Sequence, residues 1–332
     1  MSHRGSPPGR GEVVATREMT DGQVTLGEGL APLADLLDRL AGAAEPLLLT
    51  VVPLDGSPAM AEFAGEAPFR SPRWDTPLMN ATSFASMAGY AAIDATRAYA
   101  HLLRHPRLLV WAPMINARAG LEAAATAFWL IEPGIAVEQR VQRGLAYRLH
   151  NARGQQRAPE GLTAARDAGN AAVQIIREVA GVNGWTISGR KQPQAKVGDE
   201  ELPRPREGIR TLLSYRQGPE RGAVADVSWW YYSGLTHAAP YALGQAIDRD
   251  GARPTGVGGL SEAALMTDGT VFVVAAVTLG HGLANLTEAH ATRLGLDSRD
   301  IVAIDAELTE QVAALLEAID RGKKETGSDP IG

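Results

Sequence analysis

Apolar residues return every three or four positions in segment after segment of this chain, the spacing of an amphipathic helix. Between Ala81 and His105, the residues Phe84, Met87, Ala91, Ala95, Ala98 and Leu102 fall on one stripe. Tyr90, Asp94, Arg97 and His101 make a polar stripe beside it. Ala112 to Gly134 is apolar nearly all round and ends at Pro133-Gly134, a helix stop. Such a helix is expected to be buried on most sides. Val137 to Arg157 carries its apolar stripe on Val137, Val141, Leu145 and Leu149, and Glu160 to Gly181 predicts a further helix. Later, Asp226 is placed to cap a helix running through the four aromatics Trp229 to Tyr232, and Pro240 to break it. Gly256-Val257-Gly258-Gly259 ahead of Ser261-Glu262 has the form of a loop followed by a helix N-cap. A last helix from Ser298 to Gly322 has Ile301, Ile304, Leu308, Val312, Leu315 and Ile319 on one face.

Strand signals are few. LLLTVVPL near Leu47 and VFVVAAV near Val271 are candidates, and either could equally be buried helix. Ser188 to Glu207 is polar, holds Pro and Gly, and shows no periodicity. The expected fold is therefore all-α, one large helical bundle or two packed helical halves. The divisions are a disordered tail over 1–24, a helical half over 25–187, a polar linker or loop over 188–207, a second half over 208–322 and a tail over 323–332.

Composition narrows the class. With 332 residues, 45% hydrophobic and 21% charged, the chain is long enough for a sizeable core. A formal net charge of −6 argues against coating nucleic acid through bulk charge. No cysteine is present, which removes disulfides, thiolate nucleophiles and Cys-based metal sites and suits a reducing, cytoplasmic setting. The polar N-terminus has no apolar signal core, and Val271 to Leu286 is shorter than the roughly 20 residues of a membrane span. A soluble protein without membrane attachment, metal or cofactor is expected.

Phosphate-loop, zinc-helix and nucleophile-elbow motifs are all missing. Four groups of residues remain as candidate chemistry. Trp230, Ser233 and His237 share a helical face, with Tyr232 adjacent, and Ser233 and His237 stand one turn apart, within reach of a hydrogen bond. Arg118 and Glu122 are spaced i, i+4 on the apolar helix, where buried charges need partners. Arg140 and Arg143 open the next helix and are placed to join them in an Arg–Glu–Arg cluster, either a register-fixing network or an anion pocket. Arg148, Arg153 and Arg157 continue the basic run, and Arg204, Arg206, Arg210, Arg216 and Arg221 form another. With the aromatics, these suit a solvated face or phosphate contacts to RNA.

The stretch INARAGLEAAATAFWLIEPGIAVEQRVQRG, followed by YYSGLTHAAPYAL, resembles uncharacterised all-helical proteins of high-GC Gram-positive bacteria, over about half the chain. Arg118, Glu122, Arg140, Arg143, Ser233 and His237 occupy the matching positions, with Ala238 where Gly is usual. More distantly, RGLAYRLH resembles the Arg-to-His signature of HEPN domains through Arg143 and His150, with Gly144 in place of the usual polar residue. That resemblance implies a metal-independent ribonuclease acting as a homodimer. His150 or His237 would be its acid/base and Arg143 would steady the transition state. The residues themselves favour a binding or regulatory module for a small anion, nucleotide or partner. A Ser233–His237 hydrolase is a third alternative.

Overall fold

Helix α1 (Leu26–Leu49) carries the cleanest stripe in the chain: Leu30, Leu33, Leu37, Leu40, Ala44 and Leu48 are all buried. Of the two readings left open for LLLTVVPL, the helical one holds for its leucines. Its leucines finish α1, because the stripe of the preceding five turns continues straight into them. The computed structural model describes residues 26–105, 109, 111–188, 195–237, 239, 253–254, 261–262 and 269–325. Among these, nine further α-helices follow: α2 (Pro58–Ala64), α3 (Pro77–Leu103), α4 (Trp111–Ile131), α5 (Val137–Gln156), α6 (Thr163–Val182), α7 (Pro205–Gln217), α8 (Pro219–Thr236), α9 (Gly269–Leu294) and α10 (Arg299–Glu325). The all-α bundle is borne out. The 1–24 tail and Gly256 to Gly259 lie outside the described residues.

Helix α9 is the axis of the bundle. It packs against α1, α2, α3, α4, α7, α8 and α10. VFVVAAV likewise takes the helical one of its two readings. Its residues are helical, and they are apolar all round because neighbours surround them. Among the described helices α9 alone is long and apolar enough to cross a membrane, and most of it is buried inside the protein. Its position among α1, α3 and α4 joins the two expected halves into one bundle. Gly280 makes the tight approach of α10 possible: a Cβ there would collide with Leu308 Cδ2 and come within 3.3 Å of Leu37.

The stripe expected on α3 is one residue out of phase. The buried face runs through Ala85, Ala88, Ala92, Thr96, Tyr99 and Leu103, whereas Met87 is 70% exposed and Ala91 faces solvent. Small residues let α3 lie close to α1 and α4, so side-chain size, not hydrophobicity, marks the contact face. The polar stripe of Tyr90, Asp94 and His101 is exposed as expected.

Two further corrections concern caps and linkers. Asp226 does not cap α8. The helix starts seven residues earlier, at Pro219, and Asp226 pairs from mid-helix with Arg206 and Arg210 of α7. Ser261-Glu262 does not begin a helix either; it forms a strand (β5) paired antiparallel with β4 (Arg253–Pro254). The segment expected as a polar linker holds structure as well. β1 (Ile187–Ser188), β2 (Lys196–Val197) and β3 (Glu200–Glu201) make a small antiparallel sheet, and α7 starts at Pro205. Glu200 fastens this sheet to α5 by accepting from Gln139 Nε2 and Arg143 Nε, each at 2.7 Å.

Candidate functional site

The Arg118–Glu122 pair forms on α4, with Arg118 Nε donating to Glu122 Oε1 at 2.7 Å. The expected cluster with Arg140 and Arg143 does not. Those two arginines reach the other end of α4, eight residues beyond Glu122 or about 12 Å along the axis. Arg140 donates to the carbonyls of Leu130 and Glu132, and Arg143 donates to that of Trp129. The last carbonyls of a helix lack intrahelical partners and carry its negative pole, so buried guanidiniums are well placed there.

Both arginines also find acids from distant parts of the chain. Arg140 shares Glu62 of α2 with Arg293 of α9, at 2.9 and 2.8 Å. Arg143 pairs with Glu132 and Glu200 at 2.5 and 2.7 Å, and lies over the Trp129 ring. The Arg–Glu–Arg cluster in this core is thus Arg140–Glu62–Arg293. Burial pushes Arg140 down to about 10, and the nearby Arg293 adds to that.

The four aromatics of α8 divide between core and surface. Tyr232 is buried, its hydroxyl 3.3 Å from that of Thr278, and burial pushes it up to about 12. Trp230 is exposed, and Trp229 lies beside Arg118, whose guanidinium is 5.8 Å from its ring centre. His237 ends α8. Arg118 Nη1 donates to its Nε2 at 3.2 Å. Among the described residues no hydrogen bond joins Ser233 Oγ to His237, whose backbone N–H instead donates to the Ser233 carbonyl. The structure therefore brings Arg118, Glu122 and His237 together, and leaves Arg140 and Arg143 elsewhere.

His150 lies part-buried on α5 in a cleft of about 400 Å³ shared with Glu122, Thr126, Leu202, Pro203 and Arg204. The second basic run is largely neutralised: Arg206 and Arg210 by Asp226, and Arg216 by Glu288 and Asp305. Asp305 also meets His281 at 2.7 Å in a buried network that sequence reasoning missed, because its members come from α7, α9 and α10. Of the aromatics and arginines weighed for RNA contacts, Tyr232 is buried and Arg206, Arg210 and Arg216 are paired with acids, while Trp230 is exposed.

A different group of cations lies on the outer side of α5. Helix α6 packs on the outside of α5 through Val173, Ile176, Val179 and Ala180. Gly169 allows the contact, since a Cβ there would stand 2.7 Å from the Ala152 carbonyl oxygen. Beyond this crossing, α5, α6 and β1 enclose a cleft of about 340 Å³. Arg153 and Arg157 line it from α5 and the residue after it, Arg177 from α6, and Gln156 completes the polar wall. Its floor is Leu149, Val173 and Ile187, and among the described residues no acidic side chain lines it.

Arg157 and Arg177 have no ion pair or hydrogen bond among the described residues. Arg153 donates weakly to the Ser188 carbonyl at 3.4 Å. Burial, then Arg177 and Arg157, lower the Arg153 pKa from its ordinary value. No family model, curated protein or solved structure matches the chain. The chemistry of these clefts therefore stands on geometry alone. Arg153 and Arg157 were legible as a basic run with one nearby acid; Arg177 carried no local signal, because only the α5–α6 crossing brings it to them.

Proposed function

We propose that this chain is a binding module for a small anion, and that the cleft between α5 and α6 is its ligand site. One observation carries this reading: Arg157 and Arg177, whose side chains have no ion pair among the described residues, converge with Arg153 on a concave surface whose described lining holds no carboxylate. Like charges brought together repel, and an anion relieves that repulsion while accepting charge-assisted hydrogen bonds. Arg140, Arg143, Arg206 and Arg210, by contrast, each have an acid as partner. A guanidinium fork matches phosphate and carboxylate alike.

The reading takes the protein as soluble and cytoplasmic; the burial of α9, the one long apolar helix among the described residues, supports the first of these. A ribonuclease acting through Arg143 and His150 gains no specific support. The Arg143 guanidinium is already engaged by Glu132, Glu200 and the Trp129 carbonyl, which leaves little of it to meet a transition state.

Calorimetric titration of the purified chain with inorganic phosphate tests the proposal. Binding is expected, and Arg177→Ala should weaken it at least tenfold, since a hydrogen bond to a charged group is worth about 1.5–3 kcal/mol. No heat at millimolar phosphate, or an unchanged Kd in Arg177→Ala, would refute it.

A further inference from the structure

The cleft of about 400 Å³ that holds Glu122 and His150 presents charges of both signs. Glu122 and Thr126 stand one turn apart on the same face of α4, and Arg204 lines the cleft from the position just before α7. Glu122 uses one oxygen on Arg118: Oε1 accepts from Nε at 2.7 Å, and no bond reaches Oε2 among the described residues. Thr126 donates its hydroxyl proton to the Glu122 carbonyl at 2.8 Å, which leaves its oxygen able to accept. Arg118 itself is held by Glu122 and His237. Arg204 is exposed, and its guanidinium has neither ion pair nor hydrogen bond among the described residues.

Two open acceptors on one helix and an open fork from another segment ask for a ligand that is a cationic donor at one end and an anionic acceptor at the other. An ammonium has N–H donors and no acceptor, which suits Glu122 and Thr126. A carboxylate suits the Arg204 fork. Ala125, Leu202, Pro203 and Pro205 add apolar surface in the same cleft, which suits an aliphatic side chain. The volume lies at the small end of the range for ligand pockets, enough for a single residue. The His150 ring also lines the cleft but is engaged in a contact of its own. We infer that this cleft binds a free α-amino acid with an aliphatic side chain, its ammonium on Glu122 and Thr126 and its carboxylate on Arg204. The site shares no lining residue with the cleft between α5 and α6, and neither reading depends on the other.

The test is a calorimetric titration of the full chain with L-leucine, beside glycine, isoamylamine and isocaproate. Leucine should bind. Isoamylamine is leucine without its carboxylate and isocaproate is leucine without its ammonium; each should bind at least about fivefold more weakly, through the loss of one set of charge-assisted hydrogen bonds. Glycine should bind at least about tenfold more weakly, at about fourfold for each methylene buried. Arg204→Gln, at an exposed position with no side-chain partner among the described residues, should weaken leucine about threefold. Glu122→Gln should weaken it at least about fivefold. Arg177→Ala, in the other cleft, should leave leucine binding unchanged.

Each failure has its own meaning. Isocaproate or isoamylamine that matches leucine overturns the assignment to a ligand charged at both ends. Glycine that matches leucine overturns the aliphatic side chain. Leucine binding that follows Arg177 and ignores Arg204 moves the ligand to the other cleft and overturns the site. No heat with leucine at millimolar concentration overturns the inference, whatever phosphate does between α5 and α6.

Discussion

Glu62 is the residue on which two buried cations depend, and its removal gives the sharpest test of how this core is held. Arg140 is 1% exposed and Arg293 3%. Both reach Glu62, from α5 and α9, while Glu62 itself sits on the short helix α2. In Glu62→Gln the shape is kept and the charge is lost. Breaking a buried ion pair by removing one partner costs about 3–5 kcal/mol, because the other charge stays behind without compensation.

Two effects bear on where in that range the loss falls. Arg140 also donates to two carbonyls, and Arg293 to Thr82 at 3.0 Å, so neither is left bare. Against that, burial already holds Arg140 near 10 instead of 12.5, about 3 kcal/mol against its charged form, with Glu62 as a stabilising influence. We expect a loss of about 3–5 kcal/mol in guanidinium chloride unfolding followed by tryptophan fluorescence. Glu307→Gln, which breaks the exposed pair with Arg39, should leave the midpoint where it was. Adding Arg293→Met to Glu62→Gln should cost less than the sum of the two single changes, since the pair is coupled. A Glu62→Gln loss below about 1 kcal/mol would refute the reasoning and assign the work to the carbonyls.

Three other outcomes follow from named contacts. Burial pushes His290 down from 6.5 to about 4; its Nε2 lies 2.8 Å from the Thr50 carbonyl oxygen, to which only an N–H can donate, and its buried Nδ1 has no acceptor for a second proton. The unfolded chain therefore takes up a proton that the fold does not. The stabilisation is complete above about pH 6.5 and falls as pH drops toward 4, by about 3 kcal/mol in all. The wild-type advantage over His290→Gln in urea should shrink from pH 7 to pH 4.5, and a constant advantage would contradict this origin. Gly280→Ala should cost about 1–3 kcal/mol by thermal unfolding through collision with Leu308, and less in a Leu308→Ala background; equal costs in the two would refute the contact. Arg177→Ala should leave the unfolding midpoint within about 0.5 kcal/mol of wild type, because the guanidinium holds nothing in place, while phosphate binding is lost.

The periodicity of apolar positions was enough to determine the class of the fold and the extent of most helices. Val141, Leu145 and Leu149 are buried on α5 as their spacing requires, and Ile301, Ile304, Leu308 and Val312 on α10. The stop at Pro133-Gly134 stands, with Gly134 at a φ of 79° that other residues rarely adopt. These features are local: each depends on residues within a turn or two of itself. Where alanine, glycine and serine replace larger residues the pattern loses its phase, and α3 turned a different face inward. The apolar run at Val271 was ambiguous because a helix buried nearly all round has no polar side to set a period, and the one at Leu47 was too short to show one.

Most charge partnerships were decided by tertiary structure. Arg118 and Glu122 pair within one helix and could be read from their spacing. Arg140, Arg143 and Arg293 take their acids from Glu62, Glu132 and Glu200, of which only Glu132 is a near neighbour in the chain. The stretch from Arg140 to Arg157, α5 and the residue after it, therefore holds arginines of two kinds. Arg140 and Arg143 meet acids and a helix end and are fixed in the core, while Arg153 and Arg157 lie near Arg177. Which kind an arginine becomes depends on what the fold lays against it. Coulomb attraction acts through space, and only the packing of α2, α6, α9 and the small sheet around α5 sets those distances.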